Sequence, residues 1–279
     1  MILFSTISLS LSFGSPDFPV PGVLEKPDSK TEICAVIVPG AGLVDIDGTI
    51  GKNKFGKILS KALNKEGIAT FRFGKRSHSY PSFTPDNTHD DIGSDLLAAI
   101  KLVKKKHHFK HIVLVGHGLG ATLLPSVIKK QDDARVAVML APSFRSPYSH
   151  LLDKAKQFFQ FKSKKALKQS GELVMEGYDA MSYPLSYWRD WKYRAGEMLP
   201  NMKNPKYTYL ALVGGDDTLI SRDDFRIMER SLARRPNVTL AWVPRSNHLF
   251  MDAGHNHYVR GELDPEMIEL ITNFIHSNN

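Results

Sequence analysis

The chain has 279 residues, with 37 Lys and Arg against 29 Asp and Glu, for a formal net charge of +8. Its apolar content of 42% supports a sizeable core without staples, and a single cysteine, Cys34, excludes a disulfide within the chain. No apolar run approaches the ~18 residues of a membrane span, and no aromatic–basic interleaving or nucleic-acid motif accompanies the positive charge.

Met1-Ile-Leu-Phe has no preceding Lys or Arg and no unbroken apolar core behind it, so no secretory leader is expected. Ile7 to Phe13 alternates strictly, the pattern of a half-buried strand. Phe18 to Leu24 alternates as well, and Gly14-Ser-Pro-Asp17 between them predicts a turn joining an antiparallel pair. Glu32 to Val38 is a mostly continuous apolar run, the mark of a strand covered on both faces. Cys34 within it reads as a core residue rather than a reactive thiol, and one thiol without a disulfide fits a reducing, cytoplasmic location. The glycine-bearing loop Pro39-Gly40-Ala41-Gly42 follows.

Strands and helices then alternate. Phe55, Ile58, Leu59, Ala62 and Leu63 recur at helical spacing, with Gly67 as the stop. Ile68 to Phe73 is a strand, and Ile92, Leu96, Ala99, Ile100 and Val103 mark one face of a helix. That helix ends in Lys104-Lys105-Lys106-His107-His108, where cations complement the macrodipole and face water. His111 to Val115 is a strand, followed by a helix from about Leu119 and a strand at Arg135 to Leu140. Tyr207 to Val213, a helix around Phe225 to Leu232, and Val238 to Val243 continue the series. A last helix carries Met267, Leu270, Ile271, Phe274 and Ile275. Such alternation predicts an α/β fold, a mostly parallel sheet wrapped by helices on both faces.

One segment breaks the rhythm. Residues 143–204 carry helical patches rich in aromatics, among them Tyr187 and Trp188, and no strand. They are expected to form a lid inserted into a core made of residues 1–142 and 205–279, since insertions of this kind cover the C-terminal edge of a sheet where ligands bind. The aromatics either hold the lid to the body or also line a pocket. Leu151, Leu152, Ala155, Phe158 and Phe159 share a helical stripe beside Lys154, Lys156, Lys162, Lys164 and Lys165. It reads as a lid helix with its lysines in water; an anionic membrane surface is the other partner this pattern allows.

The chemistry centres on His111-Ile-Val-Leu-Val-Gly116-His117-Gly118-Leu119-Gly120-Ala121. A strand, a glycine-flanked turn and a helix form the setting of a nucleophile elbow, yet the central residue is Gly118. Here the sequence resembles the α/β-hydrolase superfamily, in which G-H-S-x-G is a familiar elbow, and within it a serine esterase and peptidase-like branch. Pro39-Gly-Ala-Gly-Leu-Val-Asp-Ile-Asp-Gly48 is similar to that branch's G-S-G-P-x-D-R-D-G loop. Thr70-Phe-Arg-Phe-Gly-Lys-Arg76 is similar to its L-R-Y-D-K-R-G segment, with Gly74 in place of the aspartate and Ser77 in place of the last glycine.

The resemblance implies an α/β-hydrolase fold with a helical lid and the chain order nucleophile, acid, histidine. In Gly214-Gly-Asp-Asp-Thr-Leu-Ile220 it implies Asp217 as the acid, with Asp216 as the alternative. In Ser246-Asn-His-Leu-Phe250 it implies His248 as the base; His255 and His257 are expected to face solvent. The backbone amides of Ala41 and Leu119 would form the oxyanion hole. Gly40 and Gly42 would let substrate approach the backbone, with His117, Tyr187 and Trp188 as further substrate contacts. The expected substrate is a small or medium carboxylic ester or a related acyl compound. No nucleic acid, metal or cofactor is expected: the histidines and carboxylates lack ligand-like spacing, and Gly40 and Gly42 lack the third glycine of a dinucleotide fingerprint.

Glycine cannot form an acyl-enzyme, and Thr122 and Ser126 are placed to point along the following helix. Three readings of Gly118 therefore stand together: an esterase disabled by substitution, a natural ligand-binding relative, or chemistry run by Asp217 and His248 without a serine.

Overall fold

A computed structural model describes residues 7–42, 44–80, 88–145, 197–251 and 261–279. Ten strands lie among these residues: β1 (Ile7–Gly14), β2 (Pro19–Lys26), β3 (Ile33–Val38), β4 (Thr49–Ile50), β5 (Asn53–Lys54), β6 (Ala69–Phe73), β7 (His111–His117), β8 (Ala134–Leu140), β9 (Thr208–Gly214) and β10 (Val238–Val243). Eight of them form one sheet in the order β1-β2-β6-β3-β7-β8-β9-β10. β1, β2 and β6 pair antiparallel. From β6 through β10 every pairing is parallel.

Helices among the described residues include α1 (Phe55–Lys65), α2 (Arg76–Ser79), α3 (Thr88–His107), α4 (Leu119–Ile128), α5 (Arg222–Leu232) and α6 (Pro265–Ser277). The chain steps one way from β3 to β6 and then back across β3 to β7. Right-handed crossovers therefore put α1 and α3 on opposite faces. α1 meets α6 on one face and α3 meets α4 on the other. The reversal at β3 is a topological switch, and α/β sheets bind ligands at the carboxyl ends of the strands beside such a point.

Burial explains the run-like strands. All five residues of β6 and the last five of β3 are buried, because helices cover both faces. Cys34 is fully buried, and desolvation pushes its thiol above the ordinary range. α4 is buried at every position. The helix starts carry the expected chemistry. Ser221 and Asp224 cap α5 reciprocally, and Asp264 accepts from the Glu266 amide ahead of Pro265 at the start of α6.

The structure corrects the half-buried reading of β1. Its first four residues are exposed, Ile7 by 58% and Leu9 by 38%, and only Leu11 and Phe13 pack on the core. β1 is the edge strand, and the carboxylate of Asp95 on α3 lies beside its far end, at Gly14. The β4–β5 hairpin and the single turn α2 were not legible in the sequence pattern; each is too short to show a period. The ends of the expected insertion pack on the body, with Met198 and Met202 both buried. Residues 146–196, which hold Tyr187, Trp188 and the basic stripe, lie outside the described residues, as do His255 and His257.

Candidate active site

Three loops meet at the carboxyl ends of β7, β9 and β10. The first is the sharp turn between β7 and α4. Gly118 sits there at φ 54°, ψ −114°, a region that costs a residue with a side chain on the order of 1–3 kcal/mol and glycine little. Its amide donates to the Leu140 carbonyl (2.9 Å), and its carbonyl accepts from the Thr122 amide (3.0 Å). The flanking glycines are required by contact. A Cβ at Gly116 would stand 2.6 Å from the Ala121 nitrogen, and one at Gly120 would stand 2.6 Å from the Pro39 carbonyl oxygen. The strand and helix can close this tightly, and α4 can lie against the end of β3, only without side chains there.

The second loop follows β9. Gly214 lets it touch the third, since a Cβ there would be 2.6 Å from the Asn247 carbonyl oxygen. Asp217 accepts from the amides of Leu219 (2.7 Å) and Ile220 (2.9 Å) through one oxygen. Its other oxygen lies 2.7 Å from Nδ1 of His248. Burial pushes this carboxyl upward, but the field and hydrogen bond of His248, with the two amides, outweigh it and hold the group below the usual carboxylate range. Asp216, the alternative acid, uses its amide on the Ser246 carbonyl (2.9 Å).

The third loop follows β10 and is shaped by Asn247, whose buried side-chain oxygen accepts from the amides of Leu249 (2.9 Å) and Met251 (3.2 Å). Ser246 donates to Asp264 (2.7 Å), the cap of α6. These contacts turn the His248 ring toward the elbow. A Cβ built on Gly118 would lie 3.8 Å from His248 Nε2. A hydroxyl one bond beyond that Cβ falls within hydrogen-bonding reach of Nε2. The neighbouring hydroxyls are occupied, as expected. Thr122 reaches the Gly118 carbonyl (3.1 Å), and Ser126 donates to the Leu123 carbonyl (2.8 Å).

Ala41 lies in the loop after β3, between Gly40 and Gly42, and Gly42 takes φ 92°. Leu119 is the first residue of α4, so its amide has no carbonyl four residues back within the helix. His117 ends β7, next to Gly118. It is buried, with Nε2 2.9 Å from the His248 carbonyl and its ring packed between Phe55 (4.7 Å) and His248 (4.8 Å). Sequence reasoning did not single out Asn247 or Lys75. Lys75 donates to the Gly42 carbonyl (3.0 Å); its motif segment is recognised in the sequence, without a role for the lysine.

Among the described residues, no group of three or more His, Cys, Asp or Glu is gathered as for a metal ion, and no helix is long and apolar enough to cross a membrane.

Residues 35–261 match the alpha/beta hydrolase family. The chain belongs to this family. Its relatives include named esterases. Esterase EstD of Thermotoga maritima is 25% identical over 283 residues, covering 95% of this chain and 68% of that protein. The Pyrococcus furiosus esterase Pf2001 superposes with a TM-score of 0.62 at 16% identity, over 97% of this chain and 92% of the other. Est1E from Butyrivibrio proteoclasticus gives a TM-score of 0.60 at 15% identity, over 96% of each chain. At this identity the two structures share the alpha/beta hydrolase fold with this chain.

Proposed function

We propose that this chain is a carboxylic ester hydrolase in architecture whose nucleophile serine is replaced by Gly118. Asp217 and His248 form the acid–base pair, and the amides of Ala41 and Leu119 form the oxyanion hole. The observation that carries this reading is the 3.8 Å between a Cβ at position 118 and His248 Nε2, beside a 2.7 Å contact from Nδ1 to Asp217.

With a serine at the elbow, the hydroxyl attacks the ester carbonyl while Nε2 takes its proton and later returns it to the leaving alcohol. Asp217 holds the ring tautomer and steadies the imidazolium, and the two amides receive the negative charge on the carbonyl oxygen. Water, activated by the same nitrogen, then releases the acid. Glycine removes the attacking atom and leaves every other part in place. The substrate class is a small or medium carboxylic ester. The related fold of Est1E binds ferulic acid, an aromatic acid of the size such a site would release. The protein works in the cytoplasm on a small-molecule substrate without a cofactor.

The test is Gly118→Ser assayed on p-nitrophenyl esters of graded acyl length. The serine form should hydrolyse at least one of them well above the parent. A folded serine form with no activity on any ester contradicts the reading. A second reading rests on the same 3.8 Å opening: His248 activates a water directly, in one step without an acyl-enzyme. It predicts parent activity that survives a fluorophosphonate and vanishes in His248→Gln.

A further inference from the structure

Lys75 follows β6, and its side chain is buried, with 5% of the residue exposed. Among the described residues its ammonium makes no ion pair with a carboxylate. An ammonium in such surroundings is costly, and burial pulls its pKa down to about 7. A methionine would fill comparable space without that cost. The polar contact the ammonium does make is with the oxyanion loop: Nζ donates to the Gly42 carbonyl at 3.0 Å.

The surrounding contacts repeat the theme. The Lys75 amide donates to the Val44 carbonyl at 3.1 Å. Gly74 runs so close to the loop that a Cβ there would stand 3.1 Å from the Ile46 nitrogen. Two residues earlier, buried Arg72 pairs with Asp47 (3.3 Å) and with Glu25 (2.9 Å). Gly42, Val44, Ile46 and Asp47 thus hang on the stretch from Arg72 to Lys75. Gly42, at φ 92°, is the joint in this loop with the widest backbone freedom, and it is the residue whose carbonyl Lys75 holds.

We propose that Lys75 is a positioning residue: by fixing the Gly42 carbonyl, its Nζ holds the Ala41 amide in register with the elbow. The inference rests on the reading of residues 39–42 as the oxyanion loop. It gives the segment after β6 a task in the site, although no atom of Lys75 needs to touch substrate.

The experiment compares Lys75→Met, which removes the donor, with Lys75→Gln, which keeps one on a side chain of similar length. Each is made in the parent and in the Gly118→Ser background. In the parent, hydrogen–deuterium exchange of residues 39–44 should quicken about 10-fold or more in Lys75→Met, with other regions unchanged and Tm equal or higher. In the serine background, kcat on p-nitrophenyl butyrate should fall about 10-fold or more while KM stays within about twofold. Lys75→Gln should recover most of both effects. Unchanged exchange and kcat in Lys75→Met, a global loss of Tm in that variant, or equal damage in Lys75→Gln would overturn the proposal. If the serine background is inactive whatever stands at 75, the esterase reading fails, and exchange in the parent still decides whether Lys75 holds the loop.

Discussion

Gly118 sits where backbone geometry and chemistry oppose each other. The turn prefers glycine at φ 54°, ψ −114°, whereas acyl transfer needs a side chain there. Any substitution that adds a Cβ should therefore cost on the order of 1–3 kcal/mol. Gly118→Ala and Gly118→Ser should both lower Tm by several degrees in a thermal melt, and only the serine form should gain activity. Asp217 is the second residue whose chemistry can be isolated. In the serine background, Asp217→Asn should cost about 10⁴ in kcat, because the amide favours the wrong ring tautomer. The same carboxyl has a pH signature. Its folded value lies below the ordinary one, so its stabilising contribution is present above about pH 4 and is lost as pH falls through the folded value. Tm measured from pH 5 down to pH 2 should fall less steeply in Asp217→Asn than in the parent.

At the scale of elements, the elbow works because α4 and the end of β3 approach to backbone contact. Gly120→Ala would drive a Cβ against the carbonyl oxygens of Pro39 (2.6 Å) and Val38 (2.7 Å). Backbone cannot move aside there without displacing the loop after β3, so a soluble Gly120→Ala chain should melt well below the parent, by a margin larger than that of Gly118→Ala. A second element-level test is the buried Arg72, which bridges Glu25 of β2 and Asp47 of the loop. Arg72→Met removes the cation beside the buried Glu25, while Asp47 keeps Lys54 at 3.0 Å, and should cost about 3–5 kcal/mol in a urea titration. The same scale shows what the sequence could and could not tell. Long apolar runs such as Ile33–Val38 and the 3.6-residue stripe of α1 declare themselves, because burial on both faces or on one face leaves a period. β4, β5 and α2 span two to four residues, too few for any period. The outer half of β1 alternates as a half-buried strand does, yet lies at the sheet edge with Ile7 and Leu9 exposed, a fact of position that alternation cannot encode.

Across the whole molecule, the sheet order brings residues 118, 217 and 248 to one edge although the chain separates them widely. Gly118, Asp217 and His248 were readable because each follows a recognisable strand and sits in a loop with its own motif. His117, Asn247 and Lys75 were not readable in their roles. His117 and Lys75 act through contacts between segments distant in sequence, such as His117 Nε2 against the His248 carbonyl, which have no local signature, and Asn247 acts on amides two and four residues ahead. The family assignment fixes the fold and the company of esterases.

The central claim is that position 118 faces a complete acid–base and oxyanion apparatus. The most direct measurement is intact mass of Gly118→Ser and Gly118→Ala after exposure to a fluorophosphonate. A stoichiometric phosphonyl adduct on the serine form, abolished by adding His248→Gln and absent from the alanine form, is the predicted result. A folded serine form that remains unmodified, or an adduct of equal extent on the alanine form, would contradict the account.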